Sequence, residues 1–139
     1  MLKSCDILFD EDLSMKFFAE RIGKSINIIL SDGLKASDEV LTDEYKKKIA
    51  LFINDFEIWY DDVFNAIKDY FNRKGISIAL PNDVELMKIF VLFEQNEQGL
   101  FGLGFRIKEE QEHGCGLKIE VCDSIYKLIE IGDFDVAFC

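Results

Sequence analysis

Apolar residues recur at Tyr45, Ile49, Phe52, Ile53, Phe56, Tyr60, Val63, Phe64, Ile67 and Phe71, steps of three and four that a helix turns onto one face. Thr42 stands just before this stripe as an N-cap whose hydroxyl accepts from a first-turn N–H, and Asp43 and Glu44 suit the positive helix end. Asn54-Asp55, two poor helix formers that are good caps, interrupt the pattern. The spacing predicts two consecutive helices, over about residues 43–54 and 56–73, although a single bent helix has the same phase. Arg73-Lys74-Gly75 ends the segment with positive charge at the negative helix end and a glycine one position beyond it.

The flanking segments read as strands. Before the helices, Cys5–Phe9, Met15–Arg21 and Ser25–Leu30 form a predicted meander that ends at the turn Ser31-Asp32-Gly33. Phe17–Ile22 also fits one helical turn. After them, Pro81-Asn82-Asp83 is a connector, followed by strands at Glu85–Phe93, Leu100–Phe105, Gly116–Cys122 and Ile125–Ile131. Gln95–Gly99 is a polar turn, and Gly132-Asp133 leads into a last apolar piece, Phe134–Phe138. Hairpin-length links favour antiparallel pairing. The expected fold is α+β, an antiparallel sheet with the helix pair packed on one face.

Length and composition make this one domain, residues 1–139, because a chain this long buries a core without staples. Thirteen Phe, four Tyr and one Trp make that core aromatic. Charge narrows the partners. Sixteen basic against 27 acidic side chains give −11, and residues 81–139 alone carry 12 acidic and 5 basic ones. The basic stripe that nucleic acid or an anionic membrane requires is missing, whereas a basic protein would be steered toward such a surface. The four cysteines, at 5, 115, 122 and 139, show no C-x-x-C spacing. No apolar h-region follows Met1-Leu2-Lys3-Ser4-Cys5-Asp6, and no apolar run approaches the ~20 residues of a membrane span. A cytoplasmic protein with reduced thiols is the expectation.

Candidate chemistry gathers around the single histidine, in Glu109-Glu110-Gln111-Glu112-His113-Gly114-Cys115-Gly116. Glu109, Glu110, Glu112 and His113 are candidate binding residues. With Cys115 and Cys122 they make a conceivable divalent-metal set, although the spacing matches no common zinc motif. Residues two apart on a strand share a face, so Cys115 beside His113 suggests a nucleophile and base. The three glutamates work against it by raising the thiol pKa. Gly99-x-x-Gly102-x-Gly104 lacks the following helix that a phosphate loop needs, and reads as glycines relieving crowding in a sheet. Trp59 lies off the helical stripe and is a candidate partly exposed interface residue. No cofactor is implied.

Several pieces of the last 40 residues resemble a family of uncharacterised bacterial proteins: Phe101–Ile107, Glu109-Glu110, Glu112-His113-Gly114, Gly116–Ile119 and Ile131–Phe138, with a glycine followed three residues later by an aspartate. The helix pair is similar too, so the resemblance spans about residues 40–139. It departs where family members often carry Trp-Asp before the acidic stretch and this chain has Ile107-Lys108. The family is suspected to include immunity proteins of bacterial toxin systems. The resemblance therefore implies a non-enzymatic acidic module that binds a basic partner such as a toxin domain. The alternatives are a metal-dependent or thiol enzyme centred on His113, and a small-ligand binder with a cleft between helices and sheet.

Overall fold

The computed structural model describes residues 1–78 and 81–139. Two helices, α1 (Asp43–Asn54) and α2 (Phe56–Arg73), interrupt a six-stranded sheet built from β1 (Ser14–Ala19), β2 (Lys24–Leu30), β3 (Val84–Val91), β4 (Gly99–Ile107), β5 (Glu110–Cys122) and β6 (Ile125–Gly132). Strand order follows chain order, and every neighbouring pair except β2–β3 is antiparallel. The α+β class and the two helix spans agree with the periodicity. The parallel β2–β3 pair departs from the all-antiparallel expectation. Its connection carries both helices, and a crossover of that length returns the chain in the same direction.

Local chemistry explains the helix ends. Thr42 Oγ1 accepts from the Tyr45 N–H at 3.2 Å, capping α1. At the break, Asp55 serves as the last cap of α1 and the first of α2. Both residues of the break are tied elsewhere: Asn54 exchanges two hydrogen bonds of 2.8 Å with the Leu2 backbone, and Asp55 accepts from the Tyr126 hydroxyl on β6. Helix α2 closes in a Schellman arrangement, with Ile76 N–H donating to Phe71 O, Gly75 N–H donating to Asn72 O, and Gly75 at φ +81°. The Asn54 bonds also correct the first predicted strand. Cys5–Phe9 does not pair with the sheet; Ser4–Asp6 is a single 3-10 turn, held because Leu2 is bonded to Asn54 and Ser4 to Asp43 on α1.

Aromatic side chains join helices to sheet. Phe52 stacks on Phe101 of β4 at 3.9 Å and on Trp59 of α2 at 4.6 Å, and Tyr60 stacks over Phe105 at 6.5 Å. Tyr45 lies 4.8 Å from Phe93 and donates its hydroxyl to the Phe93 carbonyl at 2.6 Å. Phe101, Leu103, Phe105 and Ile107, alternate residues of β4, therefore face the helices, and all are buried. Trp59 is 1% exposed and donates its indole N–H to Phe52 O at 2.8 Å. It belongs to the core rather than the surface: three residues after Phe56 and four before Val63, both buried, it lies on the inner face of α2.

Between Phe101, Leu103 and Phe105 stand Gly102 and Gly104, and with Gly116 of β5 these glycines seat the end of the chain. A 3-10 helix, Phe134–Ala137, lies across the sheet face opposite α1 and α2. A Cβ on Gly102 would stand 1.7 Å from Ala137 O, one on Gly104 2.4 Å from the Phe134 ring, and one on Gly116 2.6 Å from Asp133 O. The glycine pattern is thus structural, as its sequence context suggested, and the crowding it relieves comes from the C-terminal segment. Phe90 of β3 completes the seat against Phe134 and Phe138 at 6.5 and 5.5 Å. Gly102→Ala must displace backbone, so it is expected to cost about 1–3 kcal/mol in urea unfolding. Gly33→Ala, where the nearest atom is Ser31 Oγ at 3.8 Å, should stay within about 0.5 kcal/mol of wild type.

Candidate functional site

The β4–β5 hairpin turns at Lys108-Glu109, and its two sides do not match in length. Phe105 pairs with Cys115 and Ile107 with Glu110, so Arg106 alone faces the four residues Gln111–Gly114. The surplus bulges out of the ladder. Gly114 makes this feasible: its φ is +61°, and a Cβ there would meet Phe105 O at 2.7 Å. Strand alternation breaks at this glycine. His113 is consequently exposed while Cys115 is fully buried against the helix-facing core.

Within the bulge His113 Nδ1 lies 3.2 Å from Glu110 Oε1. The Glu110 hydrogen bond raises the His113 pKa above its ordinary 6.5, and the charges of Glu110, Glu112 and Asp133 add to it. The C-terminal segment supplies the opposite wall. Arg106, Glu112, His113, Asp133, Phe134 and Asp135 line an open cavity of about 400 Å³. Of the predicted binding residues, the structure brings Glu110, Glu112 and His113 together. Glu109 is exposed on the turn itself, outside the cavity lining, and Trp59 lies in the core. Asp133 and Asp135 join the site unpredicted. The glycine-to-aspartate step Gly132–Asp135 was the available signal, but a contact across about twenty residues of chain depends on the seat at Gly116.

The nucleophilic and metal-binding geometries do not assemble. Burial pushes the Cys115 thiol up to about 12, which keeps it protonated, and the reversal at Gly114 separates it from the imidazole. Cys122 stands at the far end of β5, opposite Ile125. Among the described residues no group of three or more His, Cys, Asp or Glu side chains is placed to hold a metal ion. The cleft that a small-ligand reading calls for is a second cavity of about 400 Å³, between α1 and β4–β6, lined by Leu51, Phe52, Phe101, Val121 and Tyr126 with Lys48 and Asp123 at its polar side. Its apolar wall is the same aromatic stack that joins helix to sheet. Among the described residues no helix is long and apolar enough to cross a membrane.

No family model, no curated protein and no solved structure matches the chain.

Two measurements check this geometry. In an NMR titration the His113 midpoint should lie above 6.5, fall toward that value in Glu110→Gln, and remain in place in Glu109→Gln. Because the folded pKa is the higher one, the imidazolium contribution to stability is complete below about pH 6.5 and fades as pH rises through the raised value. A midpoint unmoved by Glu110→Gln would remove the pair from the account. Under native conditions a thiol reagent should label the exposed Cys5, Cys122 and Cys139, with Cys115 reacting only on unfolding; rapid native labelling of a fourth thiol would contradict its burial.

Proposed function

We propose that this chain is a non-enzymatic, acidic protein-interaction module of the cytoplasm, of the kind that neutralises a basic bacterial toxin domain. The reading is carried by the convergence of Glu112, Asp133 and Asp135, with Glu110 behind His113, around one open cavity in a chain of net charge −11. A lysine or arginine of a partner entering that cavity meets several carboxylates at once, and the long-range field of the chain speeds its approach. Phe134 supplies an apolar wall against which the aliphatic stem of such a side chain packs. The resemblance around Glu112-His113-Gly114 points the same way. The buried, protonated Cys115 leaves the candidate thiol nucleophile unable to act, so binding rather than turnover is the economical role for the motif.

The test is a binding series between the purified chain and basic toxin domains. Affinity should fall as salt is raised. The double substitution Glu112→Lys with Asp135→Lys should slow association about tenfold or more, while His113→Ala leaves binding largely intact. Binding that ignores both salt and the charge reversal would overturn the electrostatic site, and loss of binding in His113→Ala would make the imidazole a direct contact.

A further inference from the structure

Strand β6 is an outer strand of the sheet: it pairs with β5 alone, and among the described residues its backbone makes no hydrogen bond to another element. It is also exposed and apolar, with Ile125 at 69%, Leu128 at 38% and Ile129 at 45% exposure. A long edge of this kind is a template for another strand unless something blocks it. Which strand it accepts depends on which side chains share a face.

The β5 register assigns those faces. Tyr126, Leu128 and Ile131 sit opposite Val121, Ile119 and Leu117, on the side of the helices. Lys127, Glu130 and Gly132 sit opposite Glu120, Lys118 and Gly116, on the side of the C-terminal segment. Both sets fit one strand only because Ile129 is an extra residue, a bulge between Glu130 and Leu128 that shifts the alternation by one. In a regular strand, residues 127 and 130 would point to opposite faces. Here they share one.

We infer that β6 pairs antiparallel with β6 of a second copy of this chain, across a two-fold axis at the Leu128–Ile129 bulge. This register matches faces along the whole strand: Ile125 meets Gly132, Tyr126 meets Ile131, and Lys127 meets Glu130, each pair occurring twice. Within one copy Glu120 already lies beside Lys127, and Lys118 bonds Glu130 at 3.5 Å. Joining two copies continues these rows into a ladder of Glu120, Lys127, the second Glu130 and the second Lys118, with charge alternating at every step. The row on the other face is apolar throughout: Val121, Tyr126, the second Ile131 and the second Leu117. Charges on an edge strand ordinarily deter pairing with other strands; these two are complementary to their own copies. The interface is isologous and closes at two chains. It leaves the acidic cavity beside His113 outside the paired edge, so it stands independently of the toxin-binding reading.

Charge complementation tests the register. In Lys127→Glu two like-charged pairs face each other across the axis, and in Glu130→Lys two others do. Each variant alone should dimerise about tenfold or more weakly than wild type. In an equimolar mixture the two glutamates of the first variant meet the two lysines of the second, so both pairs across the axis are again of opposite charge. The mixture should recover association close to the wild-type level. Sedimentation equilibrium of the full chain reads this at about 0.15 M ionic strength, where a screening length of about 8 Å suppresses the general repulsion between two acidic copies. Circular dichroism confirms that each variant is folded. A wild-type chain monomeric up to about 1 mM would overturn the proposal and leave the edge to a strand from another protein. So would variants that dimerise as tightly as wild type, or a mixture no more associated than its parts.

Discussion

The ring of Phe52, stacked between Trp59 and Phe101, is the contact on which the architecture rests. It joins α1, α2 and β4 at one point, and Trp59 is fixed there by its hydrogen bond to the Phe52 carbonyl. Offset aromatic pairs contribute about 0.5–1.5 kcal/mol each beyond the area they bury. More important is the geometry they impose. With Phe101 committed to the helices, alternation commits Leu103, Phe105 and Ile107 as well, and turns Gly102 and Gly104 to the opposite face.

That second face decides where chemistry gathers. A sheet face without side chains at Gly102, Gly104 and Gly116 lets backbone approach within contact distance, and the C-terminal 3-10 helix takes the space. Its arrival sets Asp133 and Asp135 beside the bulge that carries Glu112 and His113. The candidate site is therefore a consequence of core packing on the far side of β4. One constraint, the facing of Phe101 toward the helices, runs through the glycine seat to the electrostatics around a single imidazole.

Bulges repeat this logic in the β4–β5 and β5–β6 pairs. Gly114 breaks alternation so that His113 and Cys115, two residues apart, occupy opposite environments, solvent for the imidazole and apolar core for the thiol. The extra residue Ile129 does the reverse, bringing Lys127 and Glu130 onto a common face. In each case surplus residues on one strand, three opposite Arg106 and one at Ile129, rewrite which side chains act together, and sequence spacing read with period two gives the wrong partners.

Period and capping are local properties, and the chain displays them most clearly in its middle third. The stripe from Tyr45 to Phe71, the cap at Thr42, the break at Asn54-Asp55 and the stop at Gly75 were legible because each depends on residues within one or two turns. The strands from β3 onward were legible for the same reason, and so was the nearness of Glu110, Glu112 and His113 in the candidate site, whereas Glu109 stands apart on the turn. Cys5–Phe9 misled because its apolar residues fit a strand, while bonds from Leu2 and Ser4 to α1 hold it in a turn. Trp59 misled because it was set beside the stripe, although it stands three residues after Phe56 and four before Val63 and shares their buried face. The parallel β2–β3 pair, the union of Asp133 and Asp135 with Glu112, and the separation of Cys115 from His113 all lay beyond local pattern. They depend on how much room one layer leaves for another, and room is a property of the packed molecule rather than of any segment.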